Sequence, residues 1–347
     1  MLLFFDGFDQ YTTFPDLVLN GWSWQDNNFY GGAGPTSTVR IGAGQSLQMA
    51  TPIYGDNGLG YQTAANHYGD SLYFGFALYM NISTDTPFIN IHAMGIRGPI
   101  QISIHVHYIT SSTFILQAYR GTNLLVSGTT IFTVQTWRYV EFKVSVNNTT
   151  GIIECMVEGA LDFTFTGNTM NNVGLNELGG VSFRSISAGY LIDDFYICDS
   201  TGSFNNMYLG EQRSEVMNPH SDYAITWSRN TGAANYLDII DNGAPDENAT
   251  YVFSNTLGDR DEYGLTSISG VNTVAGVKLM TRATKDNVNP RAFKHGIKSG
   301  GVDQQKTYTL GMGYANFLDV FETSDGVSTA FTESTLNSLL STIEVAT

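Results

Sequence analysis

The sequence predicts an all-β protein: two antiparallel β-sandwich (jelly-roll) domains in tandem. Three observations carry that expectation. Short runs of alternating apolar and polar residues recur along the chain, each bounded by Gly, Asn, Asp or Ser, and a side-chain period of two marks a strand with one buried face. The composition is rich in Gly, Thr, Ser, Asn, Tyr and Phe and poor in Lys, Glu and Ala, which favours strands and turns over helices. Two apolar segments far apart, residues 2–9 and 190–197, read as the first and last strands of one closed sandwich, lying side by side. They bound a first domain at 1–199 and leave 200–347 as a second, in keeping with a prior of about 150 residues per domain.

After the opening strand and the Gly21-Trp22-Ser23-Trp24 segment, alternation is clearest at 72–80, 100–108, 114–119 and 139–146. The turn Asn147-Asn148-Thr149-Thr150-Gly151 joins the last of these to a strand at 152–158, which turns again at Gly159; this is an antiparallel meander. No strand-helix-strand unit interrupts the pattern, so two antiparallel sheets packed face to face are expected. The second half offers strands at 236–240, 250–253, 263–265, 271–281, 306–311 and 317–322, divided by Asp, Asn, Gly and Pro, and reads as a smaller sandwich. Helical pattern is confined to 335–340, with a turn around 172–178.

A net charge of −16 repels nucleic acid and anionic membranes alike, so no direct nucleic-acid partner is expected. No apolar run is long enough to span a bilayer. Met1 leads straight into a strand-like run with no basic region and no small-residue cleavage site, which predicts a soluble protein of a cytoplasm. Cys155 and Cys198 each fall inside a strand and read as buried free thiols, able to pair only if their strands are neighbours. Lys278, Arg282, Lys285, Arg291, Lys294, Lys298 and Lys306 oppose the acidic trend; they read as a solvated strand face or as a docking patch for an acidic partner.

His105 and His107, two apart in one strand, point the same way, the geometry of a two-histidine metal site that His92 could complete; the competing reading is a solvent-facing or subunit-facing pair. Asp193 and Asp199, with Asp194, and the loops Gly55-Asp56-Asn57-Gly58 and Asp246-Glu247-Asn248 offer oxygen ligands for a structural Ca²⁺, against the reading that they cap turns. Trp22 and Trp24 share a strand face and, with Tyr30, Tyr54, Tyr61, Tyr68 and Tyr73, supply either a glycan-binding surface or a core. A retaining glycosidase needs two carboxylates about 5 Å apart. Glu154 and Glu158 stand four apart in sequence, about 13 Å along a strand, with no Asp between them. No nucleophile elbow, phosphate loop, paired-cysteine motif or dinucleotide fingerprint occurs, so neither an enzyme nor a cofactor is expected.

The Phe4-Phe5-Asp6-Gly7-Phe8-Asp9 opening, Gly21-Trp22-Ser23-Trp24, Trp137-Arg138-Tyr139-Val140-Glu141 and Ile192-Asp193-Asp194-Phe195-Tyr196-Ile197 resemble the concanavalin A-like or laminin-G-like jelly roll over residues 1–199. The continuation is more specific: Asp194 to Gly202, Asn205-Asn206 and Leu209-Gly210-Glu211-Gln212-Arg213, then Trp227, Asn235-Tyr236, the acidic loop 243–252 and 321–326 with 331–337. That series resembles structural proteins of tailed-bacteriophage particles, in which a jelly roll precedes a second β domain; Phe331 stands where a Trp is usual. The resemblance implies a non-enzymatic virion component (tail, fibre or head decoration), assembled in the host cytoplasm. It would work through contacts with other virion proteins in a homo-oligomer, a trimer being favoured. The alternative is a receptor-recognition module holding a host surface glycan on the concave face or rim loops of the first sandwich; a glycoside hydrolase is the weakest reading.

Overall fold

A computed structural model describes the chain apart from residues 25–33, 43, 50–57, 69, 82–84, 173, 185, 187–188, 241–244 and 347. It divides into two units, Met1–Ser214 and Glu215–Thr347.

The first unit carries, in chain order, β1 (Leu2–Asp6), helix α1 (Phe14–Leu19), β2 (Ser23–Trp24), β3 (Gly34–Thr36), β4 (Ser46–Met49), β5 (Gly58–Tyr68), β6 (Leu72–Met80), β7 (Thr86–His92) and β8 (Ile100–Thr110). There follow β9 (Thr113–Arg120), β10 (Asn123–Ser127), β11 (Phe132–Thr133), β12 (Arg138–Ser145), β13 (Gly151–Val157), β14 (Ala160–Gly167), β15 (Glu177–Arg184) and β16 (Tyr190–Asp199). Among the described residues these form two antiparallel sheets. One runs β14-β13-β12-β6-β16-β4-β3, with β1 also on β16; the other runs β10-β9-β8-β7-β15-β5-β2, with β11 on β9. The fold is the predicted all-β antiparallel sandwich.

The core lies between the sheets and is dominated by rings. Phe76 of the first sheet meets Phe183 of the second edge-on at 5.1 Å, and Phe4 on β1 stacks on Tyr61 at 4.7 Å. Such pairs add about 0.5–1.5 kcal/mol each beyond the area they bury. The expected pairing of first and last strands is present, with Phe5 opposite Tyr196 and Asp6 opposite Phe195. Strand β16 is buried along its whole length because it has strands on both edges: β6 on one, β4 and then β1 on the other. The register breaks between Asp193 and Tyr196, where Asp194 adopts φ 52°, and this bulge divides the length of β16 that pairs with β4 from the length that pairs with β1.

The first unit continues past Asp199 to Ser214. The extra segment folds back on the outer face of the first sheet, and its polar partners explain why. Buried Glu141 accepts hydrogen bonds from Tyr196 Oη (2.5 Å) and the Gly210 backbone N–H (2.8 Å). Arg40 donates to Asp194 Oδ2 (2.9 Å) and to the Gln212 carbonyl (2.9 Å), and is paired with Glu211. Gly75 makes room beneath: a Cβ there would stand 2.5 Å from the Tyr196 ring. The Leu209-Gly210-Glu211-Gln212-Arg213 run thus belongs to the first unit.

The second unit has a five-stranded antiparallel sheet ordered β17 (Pro219–Ala224), β20 (Arg260–Leu265), β25 (Leu340–Val345), β22 (Ala292–Ser299), β23 (Val302–Thr309), and two-stranded ladders β18 (Ser228–Arg229) with β19 (Val252–Phe253) and β21 (Val277–Ala283) with β24 (Ala315–Phe321). Ile297, Phe321, Phe331, Leu336 and Leu339 form its core, and Val277 and Leu279 pack against it. Two expectations are corrected. Residues 236–240 are not a strand: the Asp222 carboxylate accepts from the backbone N–H groups of Asn235 (3.0 Å) and Tyr236 (2.7 Å), satisfying the amides of a helical turn, α2 (Asn235–Asp238). The helix near the C-terminus, α3 (Glu333–Asn337), starts at a Thr332 cap and stops before Leu340, which opens a strand.

Candidate functional site

The outer face of the second sheet is built from polar residues set in apolar strands. On β8, Ile102, Ile104 and Val106 are buried in the core, so Ser103, His105 and His107 project outward. The same phase on β7 places Asn90 outward between Ile89 and Ile91, on β9 places Gln117 and Tyr119, and on β15 places Ser182 and Arg184 on either side of core Phe183. The ladders align one residue from each of four strands: Ser182 opposite Asn90, Asn90 opposite Ser103, Ser103 opposite Tyr119.

Hydrogen bonds fix most of this face. His92 Nδ1 lies 3.0 Å from the Gly98 carbonyl, which can only accept, so Nδ1 carries the proton; Nε2 then accepts from the Ser182 hydroxyl at 2.8 Å. Burial lowers the His92 pKa and keeps the ring neutral. Ser103 Oγ lies 3.0 Å from His105 Nε2. Tyr119 Oη donates to Gln117 Oε1 (2.8 Å), and Gln117 Nε2 donates to Ser127 Oγ (3.0 Å). The Tyr119 and His105 rings pack with centroids 4.2 Å apart, forming a ledge. Burial, helped by the charge of Arg184, pushes His105 down to about 4, so at neutral pH it is an uncharged donor and acceptor.

Asn90 is the exception. It is 1% exposed, and among the described residues neither Oδ1 nor Nδ2 has a hydrogen-bond partner. A buried amide left so costs about 1–3 kcal/mol per unmet group. It sits in the row between Ser182 and Ser103, in the floor of the face, offering one donor and one acceptor function to whatever reaches it.

The residues singled out in the sequence fall elsewhere. Trp22 is a core residue, 1% exposed, with its indole Nε1 bonded to Asp6; it is not on a glycan-binding surface. It precedes β2 and so shares no strand with Trp24, whose backbone pairs with Leu59 and whose side chain lies outside the described residues, as do Tyr30, Tyr54, the side chain of Tyr68 and most of the loop at 55–58. The metal set does not assemble. His107 is tied to Asp85 at 2.6 Å, His105 to Ser103, and His92 to Ser182. Asp193 and Asp199 are six residues apart on β16, about 20 Å by strand rise, in the other sheet. Asp193 accepts from the Arg40 and Asp194 backbone N–H groups, and Asp199 from Thr201. Asp246 caps its own turn through Thr250, and Asn248 accepts from Tyr314. Among the described residues no three His, Cys, Asp or Glu side chains converge to hold a metal ion.

Glu154 lies 3.8 Å from Lys143 and Glu158 lies 2.6 Å from Arg138, the latter in the turn after β13 with φ 49°, so the two carboxylates do not face one another. Cys155 and Cys198 are buried and form no disulfide with each other, lying on β13 and β16 with β12 and β6 between them; the Cys198 thiol donates to the Met207 carbonyl. In the basic stretch four of the seven cations are met by carboxylates: Lys294 by Glu344 (2.6 Å), Lys298 by Glu262 (2.9 Å), Lys306 by Asp319 (2.6 Å) and Arg282 by Glu247. No helix among the described residues is long and apolar enough to cross a membrane.

Sequence reasoning missed Asn90, Ser103, Gln117, Tyr119, Ser182 and Arg184. The signal was the phase of the alternation: Asn90-Ile91-His92, Ser103-Ile104-His105 and Gln117-Ala118-Tyr119 put their polar members on one side.

No protein-family description matches the chain, and no curated protein matches it. Solved structures align with about half of it. An endo-β-1,4-glucuronan lyase from the fungus Trichoderma reesei shares 16% identity, covering 52% of this chain and 91% of its own, with a TM-score of 0.36. A carbohydrate esterase from the Shiga toxin-encoding bacteriophage phi24B shares 15%, with the same coverages and a TM-score of 0.37. The metal-free carbohydrate recognition domain of Emp46p shares 9%, covering 56% and 94%, with a TM-score of 0.36.

Proposed function

We propose that the first unit is a non-catalytic saccharide-recognition module, holding a glycan on the outer face of its second sheet. The observation that carries this reading is Asn90, a buried amide with two unmet hydrogen-bonding groups in a row of hydroxyls. Sugar hydroxyls both donate and accept, and Ser103, His105 and Gln117 present the complementary neutral groups. The ring ledge of Tyr119 and His105 suits the apolar face of a pyranose. A glycan array probed with the full chain, followed by calorimetric titration, tests it. Saturable binding lost on Asn90→Leu with the fold intact is the expected result; an array without hits overturns it.

The setting we propose is the surface of a tailed-phage particle, where the protein acts in a homo-oligomer to recognise a host surface glycan. It rests on the resemblance of residues 194–213 to virion proteins, a stretch that closes the first unit through Arg40, Asp194, Glu211 and Gln212. Purified virions lacking the chain would overturn it.

A further inference from the structure

We propose that the face takes a linear oligosaccharide laid across its strands, gripped at Asn90 by two adjacent ring hydroxyls and stacked through its next ring on Tyr119 and His105. The inference rests on the saccharide reading above and deepens it, by naming the group recognised and the length of ligand required. Asn90 is 1% exposed and, among the described residues, both its Oδ1 and its Nδ2 lack a partner. The two atoms leave the same carbon in one plane, Oδ1 accepting and Nδ2 donating. One hydroxyl cannot serve both with hydrogen bonds near linear. Two hydroxyls on neighbouring ring carbons can: one donates to Oδ1 while the other accepts from Nδ2. A ligand that met one function and covered the other would leave a buried group unmatched, so the amide selects for the free pair.

The strand order sets the length. Asn90 on β7 stands opposite Ser103 on β8, and Ser103 opposite Tyr119 on β9, so two strand spacings, about 10 Å, separate Asn90 from Tyr119. A pyranose anchored through its own ring hydroxyls reaches about one spacing, over Ser103 and His105. The next ring of the chain is the one that meets Tyr119, whose ring packs on that of His105 at 4.2 Å. Tyr119 is held there by its bond to Gln117 Oε1 (2.8 Å), and Gln117 by its bond to Ser127 (3.0 Å), so the platform is in place before a ligand arrives. The sugars thus run from β7 toward β9.

The test is calorimetric titration of the full chain with β-1,4-linked gluco-, manno- and galacto-oligosaccharides of one, two and three rings. Each is compared with forms methylated at both the 2- and 3-hydroxyls or at the 6-hydroxyl alone. At least one series is expected to bind, with two rings at least about tenfold tighter than one. Blocking the 2,3 pair should weaken that series more than about a hundredfold, whereas the 6-methyl form should bind like the parent. Tyr119→Ala should remove the gain from the second ring and keep the dependence on the 2,3 pair; Tyr119→Phe should keep both. Equal affinity for one and two rings, or indifference to 2,3-methylation, overturns the inference and leaves the saccharide reading standing. So does binding of none of the three series when other glycans on the array bind; an array without hits overturns both.

Discussion

The indole Nε1 of Trp22 donates to Asp6 Oδ2 at 2.8 Å inside the first sandwich. The same oxygen accepts from Tyr11 Oη at 2.5 Å, and Oδ1 accepts from the Phe8 backbone N–H at 3.0 Å and Gln10 Nε2 at 2.9 Å. A buried carboxylate is tolerable only with its lone pairs occupied, and these four donors occupy them. Trp22→Ala is expected to destabilise the protein by about 3–5 kcal/mol, the cost of emptying a large aromatic site. Asp6→Leu would orphan the Trp22 and Tyr11 donors at about 1–3 kcal/mol each. Urea unfolding followed by circular dichroism measures both; an unshifted midpoint for Trp22→Ala would contradict its core role.

Asn90→Leu should separate stability from binding. Replacing an unpartnered buried amide with an apolar side chain of similar size removes a desolvation cost of about 1–3 kcal/mol. The variant is expected to unfold at a higher temperature than the parent while losing glycan affinity. Lower stability together with retained binding would show that the amide is satisfied within the fold.

Asp193 makes stability depend on pH around neutrality. Burial, followed by the charge of Asp194, raises its pKa from 3.8 to about 7; Asp9 adds to the effect, and the Arg40 and Asp194 backbone N–H groups oppose it. The folded protein therefore holds a proton that the unfolded chain has released between these two values. The resulting stabilisation is complete below about pH 4 and declines as pH rises to 7. Asp193→Asn should flatten that decline, seen as urea midpoints at pH 5 and pH 8 that lie closer together than in the parent. A parental midpoint that rises over this interval, unchanged in slope by the substitution, would refute the assignment.

In the second unit, buried His295 links both layers through Asp319 Oδ2 at 2.6 Å and Thr281 Oγ1 at 2.9 Å, and Tyr308 and Lys306 also bond to Asp319. Burial raises the Asp319 pKa, but the bonds from His295, Lys306 and Tyr308 outweigh it and hold the carboxyl below its usual range. Its stabilisation is thus present above pH 4 and is lost as pH falls further. Asp319→Asn is expected to cost about 3 kcal/mol at pH 7, as breaking a buried pair does, and to cost progressively less as pH falls below 4. Calorimetric unfolding at pH 7 and across the acid range checks this.

The sandwich was legible because alternation is strict where one face meets a core: Phe74 and Phe76 on β6, and Ile102, Ile104 and Val106 on β8, announce their phase. Strand β22 was not, because the polar His295 stands in the inward phase between Phe293 and Ile297 and breaks the apolar rhythm. Gly296 is required there by close backbone approach, a Cβ at that position standing 2.0 Å from the Gln304 carbonyl. At the candidate site, His105 was noticed for its spacing to His107. Its ring partner, Tyr119, comes from β9 and is adjacent only once the strand order is known. Trp22 misled for a related reason: composition shows an aromatic residue but not the carboxylate sixteen positions earlier that draws it inward.

The pairing of Phe5 with Tyr196 has a kinetic consequence. On the ribosome β1 is made first and its partner β16 nearly last in the unit, so the nascent opening strand must wait, unpaired and apolar, while the intervening sheets emerge. Closure of so long a loop comes late in folding. The interval exposes a sticky edge that a chaperone or a sister chain can capture, which makes the yield of assembled protein depend on how fast the last strand follows the first.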